Sequence, residues 1–177
     1  MIELGDAPSG AALEATVPAL RADLRLDGEG ADGELRRCLR AAAAFCEAYT
    51  GTALIEREAI ERVEADGRWR ALTLRPARAI TGVTRADGSA LDVAAYDLGI
   101  GGDGTGTVRA SVPVRVTYRA GLAADWAGVP EPLALGVLRL AGHLWTVRDG
   151  GAPPAAVAAL WSPWRRMRLG GPAGLAA

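Results

Sequence analysis

The sequence VPEPLALGVLRLAGHLWTVR, residues 129–148, decides the fold of this chain. Its early prolines suit the first turn of a helix, because the backbone N–H groups there have no partner within the helix. The residues that follow are apolar on nearly every side, and only Arg139, His143 and Thr146 form a polar stripe. A helix of this composition is buried on most sides. We therefore expect residues 131–148 to form a helix at the centre of the molecule.

A second long helix is predicted over residues 33–50, and a short helix over about 17–24 precedes it. Gly51 follows the segment FCEAYT (45–50) and ends the long helix, since glycine readily adopts the left-handed conformation of a helix end. Asp32 is placed to cap its start. Apolar residues at helical spacing predict a core face made of Leu35, Cys38, Leu39, Ala42, Phe45, Cys46 and Tyr49.

Short strands and turns occupy the sequence between the two long helices, about residues 53–120. The clearest strand is residues 112–118, where apolar and polar side chains alternate and one face is therefore buried. Pro113 indicates either an edge position or the start of that strand. The pairs Asp66-Gly67 and Asp87-Gly88 are typical of hairpin turns.

The sequence predicts the secondary structure of the segments beside these turns with different clarity. Residues 54–64 carry apolar side chains at helical spacing, yet the turn that follows them and the apolar residues 69–72 suggest a hairpin, so helix and strand both remain open from the residues alone. Strands are predicted at Ile80–Thr84 and Leu91–Val93, on either side of the second turn.

The composition indicates one folded domain. The chain has 177 residues, half of them apolar, and a net charge of −1, which gives no overall attraction to nucleic acid. All 20 basic residues are Arg, which excludes phosphate-loop lysines and Schiff bases. The sequence shows no signal peptide and no segment long and apolar enough to span a membrane. Cys38 and Cys46 share one helix about 12 Å apart, so we expect reduced thiols in a cytoplasmic product.

Candidate catalytic chemistry is sparse. Glycines crowd residues 99–106 around Asp103, and a nucleotide-binding loop would need a preceding strand, a following helix and a lysine. A connection between two strands fits this loop better. His143 is the single histidine, with no second ligand within a turn, and a nucleophilic Cys38 or Cys46 would need a histidine beside it. We predict no catalytic residue, no metal site and no cofactor.

The C-terminal residues 150–177 form a different kind of segment. No acidic residue follows Asp149, whereas residues 1–34 carry eight acids and two arginines. Tryptophan and arginine are the residue types that dominate binding interfaces. We predict a docking tail that can be removed from residue 161 onward without unfolding the domain, with contacts made by Trp161, Trp164, Arg165, Arg166, Met167, Arg168 and Leu169.

The order and spacing of these elements resemble the head–tail connector (adaptor) proteins of long-tailed phages and gene transfer agents. The resemblance rests on the helix that ends FCEAYTG (45–51), the strand-rich stretch after it and the VPEPL start (129–133) of the apolar helix, and it covers about residues 16–148. It favours a strand for residues 54–64. The fold it implies is α+β, with a helical core of three to four helices and an inserted small antiparallel β-subdomain.

The resemblance also implies a division of the chain and a function. Residues 1–15 would be an N-terminal arm, 16–149 the connector domain and 150–177 the docking tail. Related connectors form a dodecameric ring on the portal of a capsid, extend the DNA channel and present an attachment surface for stopper or tail proteins. DNA would pass through without sequence-specific binding, and the protein would reside at the head–tail junction of a particle assembled in the bacterial cytoplasm. The alternative is a small-ligand-binding protein or enzyme that uses the loop 99–106.

Overall fold

A computed structural model describes residues 2–4 (backbone), 13–64, 66–147 and 151–165. Within these ranges the fold is α+β, as predicted. Its helices are α1 (Val17–Asp23), α2 (Asp32–Thr50), α3 (Glu131–Thr146) and α4 (Ala155–Trp161). Its strands are β1 (Ile2–Leu4), β2 (Arg57–Val63), β3 (Arg70–Ala71), β4 (Ala77–Arg85), β5 (Tyr96–Ile100), β6 (Gly106–Ala110) and β7 (Val114–Ala120).

Helix α3 lies at the centre of the helical layer and packs against α1, α2 and α4. Its buried side includes Leu133, Val137 and Leu140, which join residues of the other helices such as Leu35 and Leu39 in one apolar cluster. Burying each of these side chains contributes about 1.5–3 kcal/mol of transfer free energy. The nearly all-apolar helix α3 is therefore covered by three other helices, as its composition predicted.

Two antiparallel sheets make up the inserted layer. The larger has the strand order β1-β2-β7-β4 and the smaller β3-β6-β5. Strand β7 is central in the larger sheet, and Val114, Val116 and Tyr118 are fully buried on its inner face. Pro113 directly precedes β7, so of the two positions open to it the strand start is the one observed.

One hairpin expectation is wrong, and a second is correct at its turn but not for the strand predicted after it. After Asp66-Gly67 the chain does not return along β2, because β3 pairs with β6 in the other sheet. After Asp87-Gly88, residues 91–93 form no strand. Thr84 and Ala90 make an isolated bridge, and Asp92 then caps a short 3-10 turn. In both places the chain turns as the local sequence predicts. The first turn leads to a strand of the other sheet and the second to a single antiparallel bridge with β4, since a turn does not by itself choose the partner strand.

The two layers are joined at the end of α2. Gly51 adopts the left-handed conformation with φ of 69°, as expected for its helix-ending position. The Glu47 carboxylate then accepts hydrogen bonds from the Leu54 backbone N–H at 2.8 Å and from both terminal nitrogens of Arg57 at 2.9 and 2.8 Å. This bidentate pair fixes the start of β2 against the helical layer.

The start of α2 differs from expectation. Asp32 is the first helical residue and not its cap, and the residue before it, Ala31, offers no side-chain hydrogen bond. The Asp32 carboxylate instead accepts from Arg21 of α1, with Nε at 3.0 Å and a terminal nitrogen at 2.6 Å from Oδ1. The acid is therefore used to hold α1 against α2, while its charge still suits a helix N-terminus.

Candidate docking surface

The short helix α4 is part of the helical core. Trp161 is only 3% exposed, its indole N–H points at the Leu133 carbonyl oxygen at 3.4 Å, and its ring lies over Gly136 of α3. A Cβ atom on Gly136 would lie 2.1 Å from the indole nitrogen, so α4 reaches α3 only because that position is glycine. Trp161, which the sequence suggested as a docking residue, packs within the subunit. A truncation from residue 161 therefore removes a core side chain, and that expectation is corrected.

The rest of the predicted tail begins at the surface. Trp164 is half-buried at the end of a 3-10 turn (Ser162–Trp164) and packs against the helical core. Arg165 is exposed, and its guanidinium carbon lies 5.5 Å from the centre of the Tyr49 ring, within the range of a cation–π contact. The remaining predicted docking residues lie outside the described residues: Arg166, Met167, Arg168 and Leu169.

An open apolar groove of about 310 Å³ lies beside this segment. Helix α2 contributes Phe45 and Tyr49, α3 contributes Leu140, and the remaining wall comes from the approach to α4 and from α4 itself. We call this feature the Phe45 groove; its further lining residues are Pro153, Pro154, Ala155, Val157, Ala158 and Trp161. None of the lining residues is charged.

The Phe45 groove corrects the predicted core face of α2. Phe45 is 59% exposed and Tyr49 is 36% exposed, although both occupy positions that the helical period assigns to the core. The reason is that α4 packs on α2 and α3 through Trp161 and Val157 without covering the outer edge of the apolar face of α2. Two large aromatic side chains are therefore left at the surface of the subunit, where an exposed apolar patch often marks an interaction site.

The glycine-rich loop is a hairpin turn between β5 and β6. Its own groups satisfy it: the Asp103 carboxylate accepts from the Thr105 N–H at 2.9 Å and from its hydroxyl at 2.6 Å, and the Gly101 and Gly104 N–H groups donate within the turn. Gly104 has φ of +75°, and its carbonyl accepts from the Ala77 N–H at 2.8 Å. No helix follows the loop, so it lacks the arrangement with which a phosphate-binding loop presents free N–H groups.

Other candidate reactive groups serve the structure. His143 Nε2 lies 3.1 Å from the Gly151 carbonyl oxygen. Cys46 is fully buried, and burial raises the pKa of its thiol to about 12, which keeps it protonated and unreactive. Among the described residues, no group of three or more His, Cys, Asp or Glu side chains is placed to hold a metal ion. In the same part of the chain, no helix is long and apolar enough to cross a membrane.

One buried polar cluster was missed in the sequence. The Glu61 carboxylate accepts from the Thr73 N–H and hydroxyl, both at 2.8 Å, and from the Tyr118 hydroxyl at 3.0 Å. Burial raises the pKa of that tyrosine. The cluster ties the segment after β3 to the larger sheet, so it is structural. The sequence did contain an indication that Glu61 is buried, because side chains alternate along β2 and Glu61 lies on the same side as the buried Ala59.

Exposed apolar side chains also occur on both faces of the smaller sheet, at another part of the subunit. Trp69 is 50% exposed, and the Arg109 guanidinium lies 5.2 Å from the centre of its ring. Leu98 and Ile100 on β5 are 39% and 44% exposed. Strand β5 is at the edge of its sheet, so it also presents backbone groups that no strand of the described residues covers.

Comparison with solved structures gives full-length matches. The chain is similar to a chain of the neck of an empty gene transfer agent (GTA) particle reconstructed with C6 symmetry, with 29% identity and a TM-score of 0.80. It is similar to a chain in the virion of the native GTA particle, with 29% identity and a TM-score of 0.76. It is also similar to a chain of the neck of the native GTA particle reconstructed with C12 symmetry, with 30% identity and a TM-score of 0.78. Each match covers 97% of this chain and 98% of the other. The sequence matches no protein-family model and none of the curated proteins.

Proposed function

The chain belongs to the same family as this neck chain of the gene transfer agent particle, and on that premise we propose that it is a head–tail connector of a phage-like particle. The observation that carries the proposal is the match over 97% of the chain and 98% of the neck chain, because a match of that extent includes the helical core and both sheets in one arrangement. The proposed role is mechanical. The subunit forms part of the channel between capsid and tail and catalyses no reaction.

In this proposal the subunits form a ring of twelve. The C12 symmetry of the similar neck supports that number, and the C6 symmetry of the empty neck is a subgroup of it. A closed ring requires a heterologous interface, in which two different patches of the chain meet. The exposed small residues Ala41, Ala44 and Ala48 on α2 let a neighbouring subunit approach closely.

The docking segment is proposed to begin after Trp161, which belongs to the subunit core. Trp164 and Arg165, followed in sequence by Arg166, Met167, Arg168 and Leu169, would bind the portal through apolar anchors and charge-assisted hydrogen bonds. Twelve modest contacts in one ring would add by avidity. The surface of the smaller sheet, with Trp69 and the edge strand β5, would then be available to a stopper or tail-side protein.

Co-purification with portal rings tests the docking proposal. A variant that ends at Arg165 keeps α4 and Trp161, so we expect it to fold with the wild-type thermal midpoint and, because it lacks Arg166–Leu169, to bind the portal much more weakly than the wild type does. The matched control replaces residues 170–177 with a Gly-Ser sequence of equal length and keeps Arg166–Leu169, and it should bind as the wild type does. Wild-type portal occupancy by the variant that ends at Arg165 would contradict the assignment. Density for a single copy per particle would contradict the ring.

A further inference from the structure

We propose that the Phe45 groove is a receptor for a partner peptide segment that carries a large apolar side chain next to one or more carboxylates. The partner is taken to be a segment of the portal, and that identity rests on the proposed function. The chemistry of the occupant is inferred from the groove itself, namely from its apolar walls and from the cation at its rim.

The shape and lining of the groove select the apolar part of the occupant. A volume of about 310 Å³ accommodates one large side chain, and Leu140, Val157 and the rings of Phe45 and Trp161 form its walls. Phe45 remains 59% exposed in the isolated subunit. An apolar side chain that fills the groove would cover this ring and remove its apolar surface from water.

The charge at the rim selects the acidic part. The Arg165 guanidinium lies 5.5 Å from the centre of the Tyr49 ring, and Tyr49 is itself a wall of the groove. Within residues 13–64, 66–147 and 151–165, Arg165 makes no ion pair. The ring holds the guanidinium beside the groove while Arg165 remains an exposed residue, and a guanidinium in that position is suited to pair with a carboxylate.

The position of the groove joins it to the proposed docking segment. Trp161 is a wall of the groove, and Arg165 is four residues farther along the chain. A partner that binds Trp164 and Arg165 therefore reaches the mouth of the groove. The exposed aromatic side chains of α2 and the Arg165 guanidinium would then form one continuous surface.

A pair of tryptophan substitutions on α4 tests the groove. Ala158→Trp fills it, whereas Ala159→Trp adds the same side chain at an exposed position outside the lining. The probe is a synthetic peptide with a phenylalanine followed by two aspartates, compared with a peptide that has arginines in place of the aspartates. Binding is read from the methyl resonances of Leu140 and Val157 in the full-length protein.

We expect the acidic peptide to shift both resonances and the arginine peptide to bind at least about tenfold more weakly, the scale of one interface anchor. Ala158→Trp should abolish binding and Ala159→Trp should retain it. Equal binding by the two peptides, or unchanged binding to Ala158→Trp, would overturn the proposal. If Ala158→Trp did not fold, Phe45→Ser would take its place, with Leu135→Ser, another exposed apolar residue, as its control.

Two further outcomes separate this inference from the proposed function. If the acidic peptide binds as expected but portal rings bind neither the wild-type protein nor any variant of it, the chemistry of the groove is supported and the portal assignment fails. If the wild-type protein self-associates with rising concentration and Ala158→Trp alone prevents it, the occupant is a second copy of this chain and the inference is overturned.

Discussion

The contact between Gly136 and Trp161 leads to a prediction in which two physical effects have opposite signs. Replacing a helix-interior glycine by alanine favours the helix by about 0.8–1.0 kcal/mol. At Gly136, however, the new Cβ would lie 2.1 Å from the indole nitrogen of Trp161 and 2.8 and 2.9 Å from two of its ring carbons. The ring is rigid and 3% exposed, so it must shift as a unit and drag α4 with it.

Overpacking of a core typically costs about 1–3 kcal/mol, and this overlap lies at the severe end because a rigid ring is involved. The net change for Gly136→Ala is therefore a loss of about 1–2 kcal/mol in the free energy of unfolding, after the helix gain of about 1 kcal/mol is subtracted. Urea unfolding of the purified subunit followed by circular dichroism measures it. In thermal unfolding, the same loss lowers the midpoint by about 2–8 °C, at 2–4 °C per kcal/mol.

Gly142→Ala is the matched control on the same helix. There the added Cβ would meet Leu24 at 3.5 Å and Leu20 at 3.9 Å, both ordinary contacts, so the helix gain should prevail and the protein should be stabilised by about 0.5–1 kcal/mol. The double variant Gly136→Ala with Trp161→Leu should lose less stability than the sum of its single changes, because the smaller side chain removes the overlap. If Gly136→Ala stabilises the protein as much as Gly142→Ala does, the packing argument is refuted.

Three further outcomes follow from the described contacts. At pH 8, Cys38 should react with a thiol reagent in the native protein and Cys46 only after denaturation, since burial raises the pKa of Cys46 to about 12; equal rates would contradict this. Gly104→Ala, at φ of +75° and with its new Cβ 2.4 Å from a proline, should lose about 1–3 kcal/mol in urea unfolding, whereas Gly102→Ala, with open space around it, should change little. Glu61→Gln should cost about 1–3 kcal/mol, because a neutral amide replaces the carboxylate and its N–H₂ group takes the place of one of the two oxygens that accept from the three donors; an unchanged unfolding midpoint would show that the cluster is not stabilising.

The elements that the sequence predicted well are those whose residues carry their own signal. The α3 sequence is apolar on nearly every side over four turns, and a helix of that kind has no stable position except between other elements. Gly51 ends α2 because the left-handed conformation is local to one residue. The alternation of Val114, Val116 and Tyr118 indicates a half-buried strand in any fold that contains it.

Two of the incorrect interpretations concern which partner an element finds. Asp32 could cap a helix or pair with an arginine, and only the position of α1 brings Arg21 to it. Asp66-Gly67 turns the chain in the manner of a hairpin, but β3 lies in the other sheet, where it pairs with β6. The choice depends on contacts between residues far apart in sequence, which a local pattern does not contain.

The candidate site shows the same division. The sequence by itself determined that tryptophan and arginine cluster after α3, because composition is a property of the chain. Only the tertiary structure decided that Trp161 fills the space above Gly136 while Phe45 and Tyr49 remain exposed. Helical periodicity identifies which residues share a face but not how much of that face a neighbouring element covers. The covered area is set by the length and crossing of α4, and the uncovered remainder is the Phe45 groove.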